Sequence, residues 1–316
     1  MLDQLVSSNA LQISRFPDFD HFRSIEQLAD AKSIPLAWKG FAASFAAVSL
    51  RSCAIYLQQT FPRILHARYL TTGAIVGFGM ADEISVTVNG VEARPQTLLL
   101  AKGDAVCEVV EPHANLVALL NFSAVETRGW PGEANSAQMV ALRAPELAAL
   151  RAVTRDILLL ASNSPDLLAE PRVVEQLEES LLEAVDHAVQ MSPIDAGRSD
   201  LGTYLTLVRK LDEFLNDNAA RTFYSADVAR LFGVSVRTLN NAVVAIRGMS
   251  MHRYTRLRRL WSVRQQLVGG ASIDALKAIA LANGFWHMGE FRSLYRDLFG
   301  ETPQQTCLAG RGSGGT

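Results

Sequence analysis

From Arg198 to its end the chain is rich in arginine and lysine, side chains whose charge binds polyanions. This segment holds 16 Lys/Arg against 9 Asp/Glu, whereas residues 1–197 hold 14 against 23. The two opposite balances combine into the net charge of −2 of the 316-residue chain. A basic segment joined to an acidic one predicts a polyanion-binding module carried by a domain that does not touch the polyanion.

Two stretches of this basic segment have the pattern of a helix, a glycine-containing turn and a second helix. In the first, Ser225–Arg247, Gly233 suits the left-handed backbone of a tight turn and Ser235 suits a helix cap. The second, Ser272–Phe299, repeats the pattern with a turn at Asn283-Gly284-Phe285. The pair predicts two helix-turn-helix units, a motif that places a helix in the major groove of DNA.

The whole block resembles the DNA-binding domain of the AraC/XylS family of transcription regulators. The resemblance spans roughly Leu205 to Thr306, a third of the chain. The matching pieces are VARLFGVSVRTL (228–239), GMSMHRY (248–254), LRRL (257–260), IALANGF (279–285) and FRSLYRDLFGETP (291–303). The resemblance implies that two recognition helices enter successive major-groove segments on one face of the duplex, held apart by a basic linking helix.

The resemblance also implies which residues of the first unit read bases. The family's base-reading positions fall on Arg237, Asn240 and Asn241. Arginine suits the acceptors of guanine, and asparagine suits the edge of adenine. The sequence departs from the family at Asn241, where arginine is frequent, and at Val243, where a large aromatic residue is frequent.

In the second unit the corresponding positions are Met288, Gly289 and Ser293. Because Met and Gly make no bidentate base contact, readout there would use neighbouring side chains, apolar contact to thymine methyl groups, or DNA shape. Trp286 is expected to pack in the core, with DNA contact as the alternative. The neighbouring candidates are His287, Glu290 and Arg292.

A second set of side chains is predicted to contact phosphates, which adds affinity without sequence information. Only about half of such a set can face DNA at once when it lies on a helix. The candidates are Ser235, Arg253, Arg256, Arg258, Arg259, Arg264 and Arg296.

The first half of the chain predicts an antiparallel β barrel or sandwich. Between Ala47 and Ala124, six to eight short apolar runs are separated by turn signals, among them Asn89-Gly90, typical of a type I′ hairpin, and Lys102-Gly103-Asp104. Residues 1–45 are interpreted as irregular. Helical periodicity at Ala144–Ala161 and Val173–Val189 predicts two helices.

The predicted fold is therefore of the α+β class, with a barrel that resembles cupin-like effector domains, dimerisation helices, and an all-α domain with two helix-turn-helix units. The predicted bounds are 1–135 for the barrel, 136–195 for the helices, 196–306 for the DNA-binding domain and 307–316 for a disordered tail. The apolar stripe of the second dimerisation helix, which packs on the barrel or pairs with a second chain, comprises Val174, Leu177, Leu181, Leu182 and Val185.

Six polar side chains on the expected early strands are candidates for binding a small-molecule effector, since barrels of this size hold one small ligand. If they face inward, they suit an anionic or carboxylate ligand. The alternative, in which alternate residues point to solvent, stays open. The six are Arg51, Tyr56, Arg63, His66, Arg68 and Tyr69.

Metal-dependent cupins need two or three His and a carboxylate that converge on one ion. Only three of the six His fall in the first 150 residues, without an H-x-H pair. The sequence therefore predicts no metal site, no cofactor and no catalytic residue. The three cysteines, Cys53, Cys107 and Cys307, are far apart and are predicted to be idle thiols in a reducing cytosol.

The leading hypothesis is a transcription regulator that binds specific DNA and responds to a small-molecule effector. Two alternatives stay open, a ligand-independent regulator whose barrel serves dimerisation, and a cupin-type enzyme, against which the missing metal ligands argue. The expected partners are double-stranded promoter or operator DNA, an unidentified effector, a second copy in a homodimer, and RNA polymerase if the protein is an activator. No membrane is expected, and the predicted location is the cytoplasm.

Overall fold

The computed structural model describes residues 1–26, 31–38, 40–123, 125, 128–190, 200–218 and 223–312. Two compact units make up the chain. Unit 1 contains Met1–Ser33 and Phe41–Gly197, and unit 2 contains Ile34–Gly40 and Arg198–Thr316. A sheet dominates unit 1 and helices dominate unit 2, which confirms the α+β prediction. No helix in the described part of the chain is long and apolar enough to span a membrane.

The sheet of unit 1 has the strand order β1-β3-β4-β9-β5-β8-β6-β7, with β10 paired to β8 and β2 to β5. Its two long strands, β5 and β8, pair antiparallel along most of their length, and the second half of β5 also pairs with β9. The strands are β1 Gln12–Phe16, β2 Ala31–Pro35, β3 Ala43–Ser49, β4 Cys53–Gln59, β5 Arg63–Gly79, β6 Thr87–Val88, β7 Val91–Glu92, β8 Thr97–Glu111, β9 Leu116–Phe122 and β10 Ala137–Ala141.

Of the two predicted turns in the sheet, one is confirmed and one is wrong. Asn89 and Gly90 have φ of 51° and 83° between the paired strands β6 and β7, as a type I′ hairpin requires. Gly103, with φ of 60°, instead lies inside the continuous strand β8. It faces the register shift between Leu70 and Ala74 of β5, so the residues predicted as a turn form a bulge.

The prediction that residues 1–45 are irregular is wrong. This region contributes β1, β2, the start of β3 and the helix α1 (Phe19–Glu26). Aromatic packing explains the order, because Phe19 is fully buried and the rings of Phe22 and Phe61 lie 5.1 Å apart. Short elements fixed by such distant partners have no periodic signal in the sequence.

Helices α2 (Ala144–Asn163) and α3 (Pro171–Gln190) pack on this sheet through the main hydrophobic core of unit 1. Both helices were predicted. Pro145 lies in the first turn of α2, where a proline is favoured. In the stripe of α3, Leu181 and Val185 are fully buried against the sheet. Since β10 pairs with β8, the sheet extends beyond the predicted boundary at residue 135.

Unit 2 is helical. Its helices are α4 Asp200–Asp217, α5 Ser225–Leu231, α6 Val236–Arg247, α7 Met251–Val268, α8 Leu276–Ala282, α9 Met288–Phe299 and α10 Pro303–Gly312. The prediction of a disordered tail from residue 307 is wrong as far as residue 312, because Cys307 in α10 is buried and α10 packs on α7. The polar, Pro- and Gly-containing stretch Gln190–Asp200, which the sequence predicts as the domain linker, lies outside the described residues except for its two end residues, and so do residues 313–316.

An amino-terminal segment, Ile34–Gly40, also belongs to unit 2. The Trp38 ring lies 5.7 Å from the ring of Phe299 and 6.2 Å from that of Trp261. The Trp38 N–H donates to the carbonyl of Leu298 at 3.1 Å. A segment far away in sequence thus completes the apolar packing of the helical unit, which the sequence did not predict.

Candidate nucleic-acid interface

The first predicted helix-turn-helix unit is present as α5, a turn and α6. Gly233 adopts a φ of 68° in the turn. The Ser235 side chain caps α6 by accepting a hydrogen bond from the backbone N–H of Thr238 at 3.0 Å. Val228 and Leu239 are buried between the two helices and the rest of the unit. This packing fixes α6 and leaves its opposite face to solvent.

The second unit is present as α8, a turn and α9. Gly284 has a φ of 82°, and Phe285 and Phe291 are buried with their rings 5.1 Å apart. The hydroxyl of Tyr295 hydrogen bonds with that of Thr306 in α10 at 2.8 Å. Burial raises the pKa of Tyr295, so this phenol stays protonated in its structural role.

Among the base-reading candidates of α6, Arg237 and Asn241 are exposed and one helical turn apart. Val244 continues the same face and is 45% exposed. Asn240 is half-buried, and its side-chain oxygen accepts a hydrogen bond from the Met251 N–H at 3.1 Å. Asn240 therefore joins α6 to the start of α7, a structural role that the sequence did not predict.

In the second unit the candidates Gly289, Glu290, Arg292 and Ser293 are exposed on α9, as is His287 at its amino-terminal cap position. Met288 is half-buried. The Ser293 hydroxyl donates to Asp297 at 3.5 Å.

Trp286, expected in the core, is 66% exposed, because the chain turns outward between the buried Phe285 and the start of α9. The expectation that it packs in the core is corrected accordingly.

The phosphate candidates separate into exposed and buried residues. Arg253 and Arg296 are exposed, and Arg256 is half-buried. Ser235 is exposed too, but its hydroxyl is the cap of α6 described above. Arg253 and Arg296 are therefore the phosphate candidates whose side chains are most accessible to DNA.

Arg264 is corrected from a phosphate contact to an interior residue, since it is only 5% exposed. Its guanidinium lies 3.5 Å from the carboxylate of Glu301 and 4.0 Å from the centre of the Trp38 ring. A charge placed there is compensated by a carboxylate and an aromatic face, and it is out of reach of a phosphate.

Arg258 and Arg259 are half-buried, and their guanidinium groups contact partners within unit 2 instead of being free to meet a phosphate. The guanidinium of Arg258 donates to Asn216 at 2.5 Å and lies 3.5 Å from Asp212, both on α4. The guanidinium of Arg259 lies over the ring of Phe223 at 4.9 Å, and burial lowers the pKa of Arg259. Because α7 is surrounded by other helices, more of its surface is interior than its arginines suggest.

A buried network around Asp212 was not found from the sequence. Arg247 is 1% exposed and donates to Asp212 at 2.5 Å. The hydroxyl of Tyr254 also donates to Asp212, and burial raises the pKa of Tyr254. The network joins α4, α6 and α7. The one available signal was the spacing of acidic and basic residues on separate helices, which does not specify pairing.

Unit 1 contains a partly open cavity with a volume of about 90 Å³. Two of the six effector candidates, Arg63 and Tyr69, line it. Arg63 is buried and donates to Glu111 at 2.6 Å, and burial raises the pKa of Tyr69. The apolar lining includes Leu65, Phe78, Val86, Leu99, Leu119 and Met139.

The other four effector candidates do not line this cavity. His66 pairs with Glu108 at 2.7 Å and the exposed Arg68 with Asp104 at 2.5 Å, on the opposite face of β5 from Arg63. Tyr56 stacks on Phe45, and Arg51 is exposed in the turn between β3 and β4. Among the described residues, no group of three or more His, Cys, Asp or Glu is placed to hold a metal ion.

Comparison with known proteins agrees with the assignment of helix-turn-helix structure in unit 2. The family model described as "Helix-turn-helix domain" matches residues 228–307. The XylDLEGF operon transcriptional activator of Pseudomonas putida is 35% identical over 95 residues, which is 30% of each chain. The probable thc operon regulatory protein of Rhodococcus erythropolis is 28% identical over 149 residues, 45% of this chain and 44% of the relative. The chain thus spans less than half the length of these curated relatives.

A solved structure also resembles the helical unit. The crystal structure of a probable AraC family transcriptional regulator from Rhodopseudomonas palustris CGA009 is 33% identical, and the match covers 33% of this chain and 97% of that one, with a TM-score of 0.30. Two helix-turn-helix units joined by a long helix define the class as a double helix-turn-helix protein. Residues 228–307 of unit 2 thus resemble the DNA-binding domain of AraC/XylS-type transcription regulators.

Proposed function

We propose that the protein is a sequence-specific DNA-binding transcription regulator and that unit 2 contacts the duplex. The observation that carries the proposal is the pair of helix-turn-helix units whose second helices, α6 and α9, expose one face in the basic segment of the chain. The residues at the beginning of such a helix contact base edges when the helix lies in the major groove.

In this proposal Arg237 and Asn241 read bases from α6. The guanidinium of Arg237 is suited to guanine, and the amide of Asn241 to adenine. Arg253 and Arg296 contact phosphates, which positions the protein on the duplex. Asn240, Arg258, Arg259 and Arg264 contact partners within unit 2 and are not assigned to DNA.

The test uses the full chain and a fluorescent duplex taken from a randomised library by repeated selection, with binding followed by anisotropy. The affinity is expected to fall steeply with salt because phosphate contacts release counterions. Arg237→Ala is expected to relax the preference at one base pair and to weaken binding by roughly 1–3 kcal/mol. Arg172→Ala, which removes an exposed arginine of α3 in unit 1, is the matched control. Selection that enriches no sequence would refute the proposal.

The proposal includes control by a small molecule bound in the cavity of unit 1. Arg63, the cationic side chain at the cavity wall, is already paired with Glu111, so an anionic ligand would have to displace a buried carboxylate. Apart from Arg63 and Glu111 the lining is mostly apolar, and its other polar groups belong to Gln58, Tyr69 and Thr97. These features favour an uncharged, largely apolar effector over the anionic one that the sequence suggested.

Thermal-shift screening of small metabolites on the full chain tests this part. A cavity ligand is expected to raise the unfolding temperature, and Leu119→Trp, which fills the cavity, is expected to abolish the shift. Leu167→Trp, at an exposed position of unit 1, is the control. A compound that stabilises both variants equally binds elsewhere and would contradict the proposed site.

A homodimer and, for activation, contact with RNA polymerase complete the proposal. The curated relatives named as activators support the second point. Light scattering of the purified chain measures the first, and in vitro transcription from the selected duplex measures the second. With DNA as the partner, the proposed location is the cytoplasm.

A further inference from the structure

Trp286 is an unusual residue to leave in water. Its side chain is 66% exposed, whereas Trp130 and Trp261 are 4% and 8% exposed. None of the aromatic ring pairs in the described part of the chain includes Trp286. Tryptophan is highly buried on average, and an indole this exposed is available to contact another molecule.

The position of Trp286 indicates which molecule that is. Trp286 directly precedes His287, the cap residue of α9, and so stands at the amino-terminal end of the second recognition helix. This end of a recognition helix contacts base edges in the major groove. The exposed side chains around it on α9 include the cations Arg292 and Arg296 and the carboxylate of Glu290.

The same end of α9 lacks the side chains that read bases by paired hydrogen bonds. Gly289 has no side chain, and a Cβ built there would meet nothing within 4 Å. Met288 is half-buried and has no hydrogen-bond donor. A duplex can therefore approach the helix closely here, and Trp286 is the largest exposed group that it would meet.

We propose that Trp286 is a specificity-determining residue of the second helix-turn-helix unit and that its indole reads thymine through the 5-methyl group. The inference rests on the proposed function. Its chemical ground is that the thymine methyl is the one apolar group that base pairs present in the major groove. An indole at this position favours thymine by apolar contact. A polar side chain at a base-reading position would instead use hydrogen bonds.

The experiment compares the full-length protein with Trp286→Ala on the duplex selected by the wild type. Trp286→Ala is expected to weaken binding roughly tenfold, the fold-change that corresponds to partial burial of an indole. Replacing the selected thymines one at a time by deoxyuridine removes only the methyl. The wild type is expected to lose about fourfold affinity at the contacted thymine, and Trp286→Ala is expected to lose nothing there.

Leu308→Ala is the matched control, because Leu308 is 63% exposed on α10 of the same unit. It is expected to bind DNA as the wild type does and to keep the deoxyuridine penalty. Because Trp286 is exposed, its replacement is expected to leave the unfolding temperature unchanged. In the wild type, DNA is expected to change the tryptophan emission, and Trp286→Phe is expected to lose most of that change.

Three results would overturn the inference. Trp286→Ala could bind like the wild type, it could keep the full deoxyuridine penalty, or the wild type could show no penalty at any thymine. Normal DNA binding by Trp286→Ala with loss of transcription would assign the indole to a protein partner and also overturn it. If the wild type enriched no duplex at all, the proposed function itself would fail, a result distinct from these.

Discussion

At the scale of single residues, buried charge pairing decides which arginines of unit 2 are available to DNA. Arg247, at the end of α6, is held by Asp212 inside the unit, while Arg237 on the same helix is exposed. The two residues have the same chemistry, and only the partner on another helix separates their roles. Asp212 therefore connects α4 to both α6 and α7.

Asp212→Ala is expected to destabilise unit 2 by about 3–5 kcal/mol, because it leaves the buried guanidinium of Arg247 without a carboxylate. The measurement is the free energy of unfolding in urea, followed by circular dichroism. Glu213→Ala removes the neighbouring exposed carboxylate of α4 and is expected to change stability by less than about 0.5 kcal/mol. Equal effects of the two substitutions would contradict the role of the network.

The three cysteines form another residue-scale prediction. All are buried free thiols, and burial, with the nearby charge of Glu178, raises the pKa of Cys53 to about 12. Because the thiolate is the reactive form, the folded protein is expected to react very slowly with Ellman's reagent and to show three thiols in urea. Ser180→Cys, at an exposed position of α3, adds a thiol that is expected to react at once. Prompt labelling of the wild type would be incompatible with this packing.

At the scale of elements, two glycines of the second helix-turn-helix unit differ in backbone conformation, and their replacement by alanine is expected to change stability in opposite directions. Gly289 lies in the first turn of α9 with open space around it, whereas Gly300 ends α9 with a φ of 71°. Gly289→Ala is expected to stabilise by about 0.5 kcal/mol through the unfolded state, and Gly300→Ala to destabilise by about 1 kcal/mol. Thermal unfolding measures both. Shifts of the same sign would refute the assigned backbone roles.

The elements also show what a sequence can predict. The helix-turn-helix units were predictable because their signals are local: Gly233 and Gly284 mark turns, and Ser235 marks a cap. The bulge at Gly103 was mistaken for a turn, since only pairing with β5 reveals one continuous strand. Local signals identify an element, but its partners decide where it lies.

The candidate site likewise contains residues whose exposure the sequence could predict and residues whose burial depends on partners far away in sequence. Exposure of Arg237 and Asn241 follows from the periodicity of α6. Arg258 pairs with Asp212, and Arg264 lies against Glu301 and Trp38. Each of these partners is at least 37 residues away in sequence. A helix that is packed on several sides has no solvent stripe that its sequence pattern would reveal.

At the scale of the whole molecule, the charges are segregated. The chain has a net charge of only −2, but 16 of its 30 Lys/Arg lie from Arg198 onward. The acidic residues within 1–197 lower the net charge of the chain, while Arg237, Arg253 and Arg296 of unit 2 are exposed. The proposed binding to DNA is therefore expected to depend on a few exposed positions of unit 2 and not on net charge.

This segregation predicts the salt dependence of DNA binding. The slope of log affinity against log salt is proportional to the number of neutralised phosphates, at about 0.9 per contact. Arg253→Ala and Arg296→Ala are each expected to reduce the steepness of this slope by about one and to weaken all sequences alike. Arg172→Ala makes the same charge change in unit 1, yet it is expected to leave the slope unchanged. An equal reduction by all three substitutions would mean that net charge governs binding, whereas the structure requires that position governs it.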